Sequence, residues 1–116
     1  MLRNTLNFMA FQKTITLASG VSGNYTRLIT YRWDRSTREA VALFALYLDA
    51  QAAHAGKQAL TPFIAKLRLD GAKFDSYLGN AVLSEHAAIA QLYAAAKAEP
   101  VSCDFGSHVF ADAVDA

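Results

Sequence analysis

Residues 24 to 69 alternate apolar and polar positions on either side of one run that is apolar throughout, Glu39-Ala-Val-Ala-Leu-Phe-Ala-Leu-Tyr-Leu48. A segment apolar at both parities has to be covered on both faces, which places it in the middle of a fold. The pattern predicts a central strand over 39–48. Ser36 followed by Glu39 has capping-box spacing, and the alanines and leucines carry good helix propensity, so a helix running to about Ala55 is the alternative. The hairpin-length link Asp34-Arg-Ser-Thr-Arg38 favours the strand.

The flanking segments follow from their periods. Phe11–Leu17 puts Phe11, Ile15 and Leu17 on one parity and predicts an edge strand. Ala18-Ser-Gly-Val-Ser-Gly-Asn24 has turn chemistry and predicts an exposed loop. Over 24–33 the alternation is cleanest: Tyr25, Arg27, Ile29, Tyr31 and Trp33 share one parity, against Thr26, Leu28, Thr30 and Arg32. Asp49–Gly56 reads as a short helical turn closed by Gly56. A fourth strand is expected over 61–69, starting near Pro62, with Phe63, Ala65, Leu67 and Leu69 opposing Ile64, Lys66 and Arg68 and with a turn at Asp70-Gly71.

Phe74, Tyr77 and Leu78 stand at helical spacing, stopped by Gly79-Asn80, so a short helix is expected over 74–78. Ser84 and Glu85 predict the start of a helix over 84–98, with Ile89, Leu92, Tyr93 and Ala96 as its apolar stripe and Pro100 beyond its end. Residues 101–116 show no clean period and are expected to form a loop or arm. The fold class is therefore α+β: an antiparallel sheet of about four strands (11–17, 24–33, 39–48, 61–69) with helices over 74–78 and 84–98. The domain organisation is an N-terminal extension over 1–10, one domain over 11–100 and a C-terminal arm over 101–116.

Length and composition narrow the function classes. The chain has 116 residues, 53 % of them hydrophobic and 18 % charged, which fits one domain with a modest core and excludes disorder. With 11 basic and 10 acidic residues there is no basic block for nucleic acid to recognise, and protein partners are expected instead. So apolar a small domain hints at surface buried between subunits of a homo-oligomer. Cys103 is the one cysteine, so no intramolecular disulfide can form. No run approaches the length of about 18 or more apolar residues needed to span a membrane, and residues 1–8 are too short and polar for a secretory signal. Met9-Ala10-Phe11 looks like a second start, and a reducing cytoplasm is the expected place of synthesis.

Candidate chemistry is sparse. His54, His86 and His108 lie in separate segments without a second ligand at metal spacing, and no metal or cofactor is expected. Cys103, Asp104 and His108 share one irregular stretch, whereas a catalytic Cys and His normally come from distant parts of a chain. Glu39, Asp49 and Glu85 could serve as paired carboxylates only if two of them met across a cleft; acids at turns and caps need no such explanation. The stripe Tyr25, Tyr31 and Trp33, with Arg27 beside it, suits either a subunit interface or a stacking platform for sugars. With Phe105 and Phe110 these residues make up the candidate interface.

The order of several short motifs carries a resemblance. Met9-Ala-Phe-Gln-Lys-Thr-Ile-Thr-Leu17 leads through a glycine loop and an aromatic strand to Tyr47-Leu-Asp-Ala50. Ala-Gly-Lys-Gln-Ala-Leu60, Phe74-Asp-Ser-Tyr-Leu78 and Ala90-Gln-Leu-Tyr93 follow. Over roughly residues 9–100, and again at Phe110-Ala-Asp-Ala-Val-Asp115, the chain resembles small virion structural proteins of tailed bacteriophages and prophages. It departs from them before Met9 and at Ser102–Ser107. The resemblance implies a non-enzymatic structural component of the virion, made in the bacterial host cytoplasm, with other virion proteins as partners. A tail, baseplate or fibre-attachment position is expected. A capsid decoration protein is the first alternative and a small carbohydrate- or protein-binding module the second.

Overall fold

The computed structural model describes residues 10–79 and 84–115. In chain order the elements are β1 (Phe11–Thr16), β2 (Ser22–Asp34), β3 (Glu39–Tyr47), α1 (Ala50–His54), β4 (Thr61–Asp70), α2 (Ala72–Leu78), α3 (Glu85–Ala98) and β5 (Val114–Asp115). The strands form one antiparallel sheet in the order β4-β3-β2-β1-β5. The fold is α+β, with the apolar run at the centre of the sheet as a strand and not as a helix. The sheet has five strands rather than about four. Residues 1–9 of the extension expected over 1–10 and the stop at Asn80 lie outside the described residues, and Ala10 is buried beside Tyr25 and Ala53.

Local chemistry explains the helix ends. The Asp49 carboxylate accepts from the Ala52 N–H at 2.7 Å and starts α1, and Gly56 closes it at φ 76°, where a side chain would be strained. The Ser84 hydroxyl accepts from the Ala87 N–H at 3.1 Å and starts α3. Where a loop up to Asn24 is expected, β2 already begins at Ser22, because Gly23 fits where nothing larger would. A Cβ there would stand 2.5 Å from the Tyr47 carbonyl oxygen and 2.9 Å from the Leu46 side chain.

One face of the sheet is covered. Thr26, Leu28, Tyr31 and Trp33 of β2 line it, together with Ala40, Ala42, Phe44 and Leu46 of β3 and Ala65, Leu67 and Leu69 of β4. Phe74 and Leu78 of α2 pack on it, as do Ala88, Leu92, Tyr93, Ala95 and Ala96 of α3. Alanines make up three of those five α3 residues, so the helix backbone can lie close to the strands. Phe63 does not join Ala65, Leu67 and Leu69 as its parity predicts. A bulge near the start of β4 leaves it exposed and turns Ile64 into the core instead.

The expected arm over 101–116 is part of the core. Ser102 pairs with Lys66 on the outer edge of β4, each N–H donating to the other's carbonyl at 3.0 and 2.8 Å. The chain then crosses the covered face, burying Val109, Phe110 and Ala113, and reaches the far edge, where β5 pairs with β1. It is a strap tied to both edges of the sheet. Its lack of period has a physical reason: it is neither helix nor long strand, and it contributes isolated anchors. Phe110 is the main one, stacked on Phe11 at 4.7 Å between ring centres and tilted against Phe44 at 5.5 Å. The Lys13 ammonium fastens the strap further, donating to the Val109 carbonyl at 2.6 Å and the Asp112 carboxylate at 2.7 Å.

Two outcomes follow. Phe110→Ala should cost about 3–5 kcal/mol of unfolding free energy by urea titration, the range for emptying an aromatic core site. Gly23→Ala should cost about 1–3 kcal/mol through overpacking at a strand that cannot move away. A loss below half a kilocalorie from Phe110→Ala would show that the strap is not anchored there.

Candidate functional site

The six residues expected to form an interface do not come together, and one bulge accounts for much of that. Leu28 pairs with Phe44 and Thr30 with Leu43, so Ile29 is the extra residue and the parity of β2 reverses across it. Before the bulge Tyr25 and Arg27 face away from α3; after it Tyr31 and Trp33 face towards it. Tyr25 is only 5 % exposed, packed in a second small cluster with Ala10 and Ala53 of α1. Tyr31 and Trp33 stack on each other at 5.6 Å, half-buried against the main core, and the Tyr31 hydroxyl donates to Glu85 at the start of α3. Phe110 is fully buried, and Phe105 is exposed on the strap. Arg27 alone of the six lies on the open face of the sheet.

That open face is the surface the sequence pattern did not isolate. Read across β2, β3 and β4, its residues form rows. The first is acidic: Asp34, Glu39 and Asp70. The second is Arg32, Val41 and Arg68, and the third is Thr30, Leu43 and Lys66. Arg27 and Ala45 begin the fourth, next to the step made by α1 where it packs on Tyr25 and Tyr47. Val41 and Leu43 are half-buried and Ile29 is exposed, so an aliphatic centre lies between cationic side chains. Arg68 pairs with Glu39 and reaches Asp70 at 3.4 Å, which ties the first two rows together. The apolar run was expected to need cover on both faces; one face is covered throughout, and on the other α1 packs on Tyr47 and Ala45 is buried, while Val41 and Leu43 are half-buried.

Shallow depressions lie at the two ends of this side. One of about 250 Å³ is lined by Arg32, Asp34, Thr37, Glu39, Ala40 and Val41. The other, about 320 Å³, is lined by Gln12, Asn24, Tyr25, Asp49, Ala50 and Gln51. In the second, Tyr25 and His54 share a hydrogen bond at 3.2 Å, which holds the phenol edge-on to the imidazole rather than open to a ligand.

The groups considered for catalysis have structural roles. Glu39 pairs with Arg68, Asp49 caps α1, and Glu85 accepts from Tyr31, so the three carboxylates share no cleft. Burial pushes the Cys103 thiol up, away from the thiolate a nucleophile needs, and its sulfur accepts from the Phe105 N–H at 3.4 Å. Among the described residues no group of three or more His, Cys, Asp or Glu is placed to hold a metal ion, and no helix is long and apolar enough to cross a membrane.

Sequence reasoning missed Tyr93's role in holding the bulge. Its hydroxyl accepts from the Leu28 N–H at 2.8 Å, satisfying a backbone donor beside the register shift. The desolvation that comes with this position raises the phenol from its ordinary value to about 12. Comparison with family models, with curated proteins and with solved structures finds no match to this chain.

The raised phenol fixes a pH dependence. An unfolded chain gives up the Tyr93 proton near pH 10 and the folded one near 12, so the stabilisation is complete below about pH 10 and is lost as pH rises through 12. Tyr93→Phe should be less stable than the parent at pH 8 by about 1–3 kcal/mol, because the Leu28 N–H loses its acceptor. Its urea midpoint should also fall less steeply than the parent's between pH 10 and 12. Equal midpoints at pH 8 would remove Tyr93 from the account of the bulge.

Proposed function

We propose that this chain is a non-enzymatic structural subunit of a tailed-bacteriophage particle, present in multiple copies at a tail, baseplate or fibre-attachment position. Two things support the reading. The ordered motifs from Met9 to Tyr93 resemble small virion structural proteins. The observation that carries it is the open sheet face, where Val41, Leu43 and Ile29 present an aliphatic centre bordered by Arg27, Arg32, Lys66 and Arg68. Such a surface suits contact with protein: the centre loses water on docking and the border sets the register. The partners are other virion proteins and further copies of the chain.

The carbohydrate-binding alternative has less to work with. Tyr25 is buried on the opposite side of the sheet from Tyr31 and Trp33, which stack on each other half-buried against the core, so the three rings do not form one open platform. For catalysis, the candidate acids are engaged in pairs and caps, and the Cys103 thiol is held in its protonated form.

Mass spectrometry of particles from the strain that carries this gene, with heads and tails separated, tests the reading. The chain should be found in tails at several copies per particle, and particles carrying both Cys103→Ala and His108→Ala should infect normally. Recovery from heads alone would move the assignment to capsid decoration. Its absence from particles would overturn the proposal.

A further inference from the structure

β2 is longer than the strand beside it. It runs from Ser22 to Asp34, but β1 pairs with it only as far as Phe11 opposite Thr26. On that side, among the described residues, no strand lies against residues 27–34. Ala10 bends out of the strand line at this point and is buried with Tyr25 and Ala53. The register gives the direction of the peptide groups. The Asn24 N–H donates to the Leu48 carbonyl, so Asn24 and Thr26 point towards β3, and Tyr25 and Arg27 point away from it. The bulge at Ile29 reverses that alternation together with the side chains. Arg27, Thr30 and Arg32 therefore direct their N–H and C=O groups out of the sheet edge, where they need partners.

Two features beside this edge select what can add to it. On the open side of the sheet, Arg27 and Arg32 flank Thr30. The bulge absorbs one residue between them, so they stand four strand positions apart, about 13 Å. Neither is in an ion pair among the described residues. The acids of the neighbouring row are engaged elsewhere: Asp34 accepts from the Ser36 N–H at 2.9 Å and the Ser36 hydroxyl at 2.6 Å, and Glu39 and Asp70 are held by Arg68. On the helix side, Leu28 and Tyr31 are half-buried apolar neighbours of the same edge. Glu85 meets Tyr31 and Tyr93 meets Leu28, so Ile89, one turn from each on α3, overhangs the edge between them.

We propose that the edge of β2 over residues 27–34 is a docking site for an extended segment of another protein, which adds to the sheet as a strand and carries acidic residues at positions i and i+4 with apolar residues at i+1 and i+3. In that register the acids lie opposite Arg27 and Arg32, and the apolar side chains fall under α3 against Leu28 and Tyr31. Main-chain bonds to Arg27, Thr30 and Arg32 supply affinity, and the alternating side chains supply the choice of partner. The inference concerns the sheet edge and does not depend on the chain belonging to a particle.

The probe is a synthetic peptide with the core Glu-Val-Thr-Val-Glu, whose side chains read the same in either strand direction. It is titrated to about 1 mM into the isotope-labelled full chain, a range suited to so short a ligand, with amide exchange followed by nuclear magnetic resonance. In the free chain the amides of Arg27, Thr30 and Arg32 should exchange readily with solvent, and saturating peptide should slow all three about tenfold or more. Thr30→Pro removes one outward donor and should weaken binding about tenfold. Charge exchange gives a second test that does not depend on that variant folding. The chain carrying Arg27→Glu with Arg32→Glu should refuse the first peptide and take one with the core Lys-Val-Thr-Val-Lys. No binding at 1 mM would overturn the proposal, as would equal binding of both peptides by the parent. Slow exchange of the three amides in the free chain would also overturn it, because the edge would then be held already by the chain itself or by a second copy.

Discussion

Four rings hold this molecule together: Phe11 from β1, Phe44 from β3, Tyr93 from α3 and Phe110 from the strap. Phe11 lies against all three others, with ring centres 4.7 to 6.0 Å away, and Phe44 also meets Tyr93 at 5.6 Å. No two of them come from the same element, so burying the cluster requires sheet, helix and strap to be in place together. The short helices and the polar ties are arranged around that requirement. Arg38 pairs with Asp75 and fastens the β2–β3 hairpin to α2, while Glu99 takes Lys73 at 3.1 Å and the Tyr77 hydroxyl at 3.1 Å, joining the end of α3 to α2. Lys73 is the main reason the Glu99 carboxyl stays below its usual range. The Arg38–Asp75 pair is solvent-exposed and the Glu99 contacts are half-buried, and they orient elements more than they stabilise them.

Much of the architecture was legible because period and turn chemistry agree. Over 39–47 the run is apolar at both parities and preceded by a hairpin-length link; over 84–98 a serine cap precedes an apolar stripe. What the sequence hid comes from two causes. A bulge adds one residue without leaving a compositional mark, so Tyr25 and Trp33, on one parity in the chain, lie on opposite sides of the sheet. The strap adds long-range contacts through single residues, and Phe110 in an aperiodic stretch gives no sign that it will meet Phe11. The signals that could have helped are slight: an aromatic flanked by Val109 and Ala111, and the β-branched Ile29 amid an otherwise regular alternation.

The candidate site was less legible than the fold for the same reason. Arg27, Arg32, Lys66 and Arg68 are scattered in the sequence, and a near-neutral total charge conceals their grouping. Strand register gathers them. The acids Asp34, Glu39 and Asp70 gather at the adjacent level, because each stands at a strand end beside a turn. A pattern of charge along the sheet thus arises from ordinary turn chemistry combined with ordinary exposed-face choices. Its order on the surface exists only once the strands are paired.

The strap has a consequence for how the chain comes into being. Lys13 and Asp112, which fasten β1 to the strap, are 99 positions apart. During synthesis β1 can find β2 early, but its other edge and one side of the Phe11 ring stay bare until almost all of the described chain has left the ribosome. Contacts between such distant positions make folding slow relative to a molecule closed by neighbours. For that interval the nascent chain presents an unpaired strand edge beside an exposed aromatic, the combination most prone to wrong pairing. A cell that makes many copies at once would meet that hazard on every polysome, where the bare edges of adjacent nascent chains stand close together.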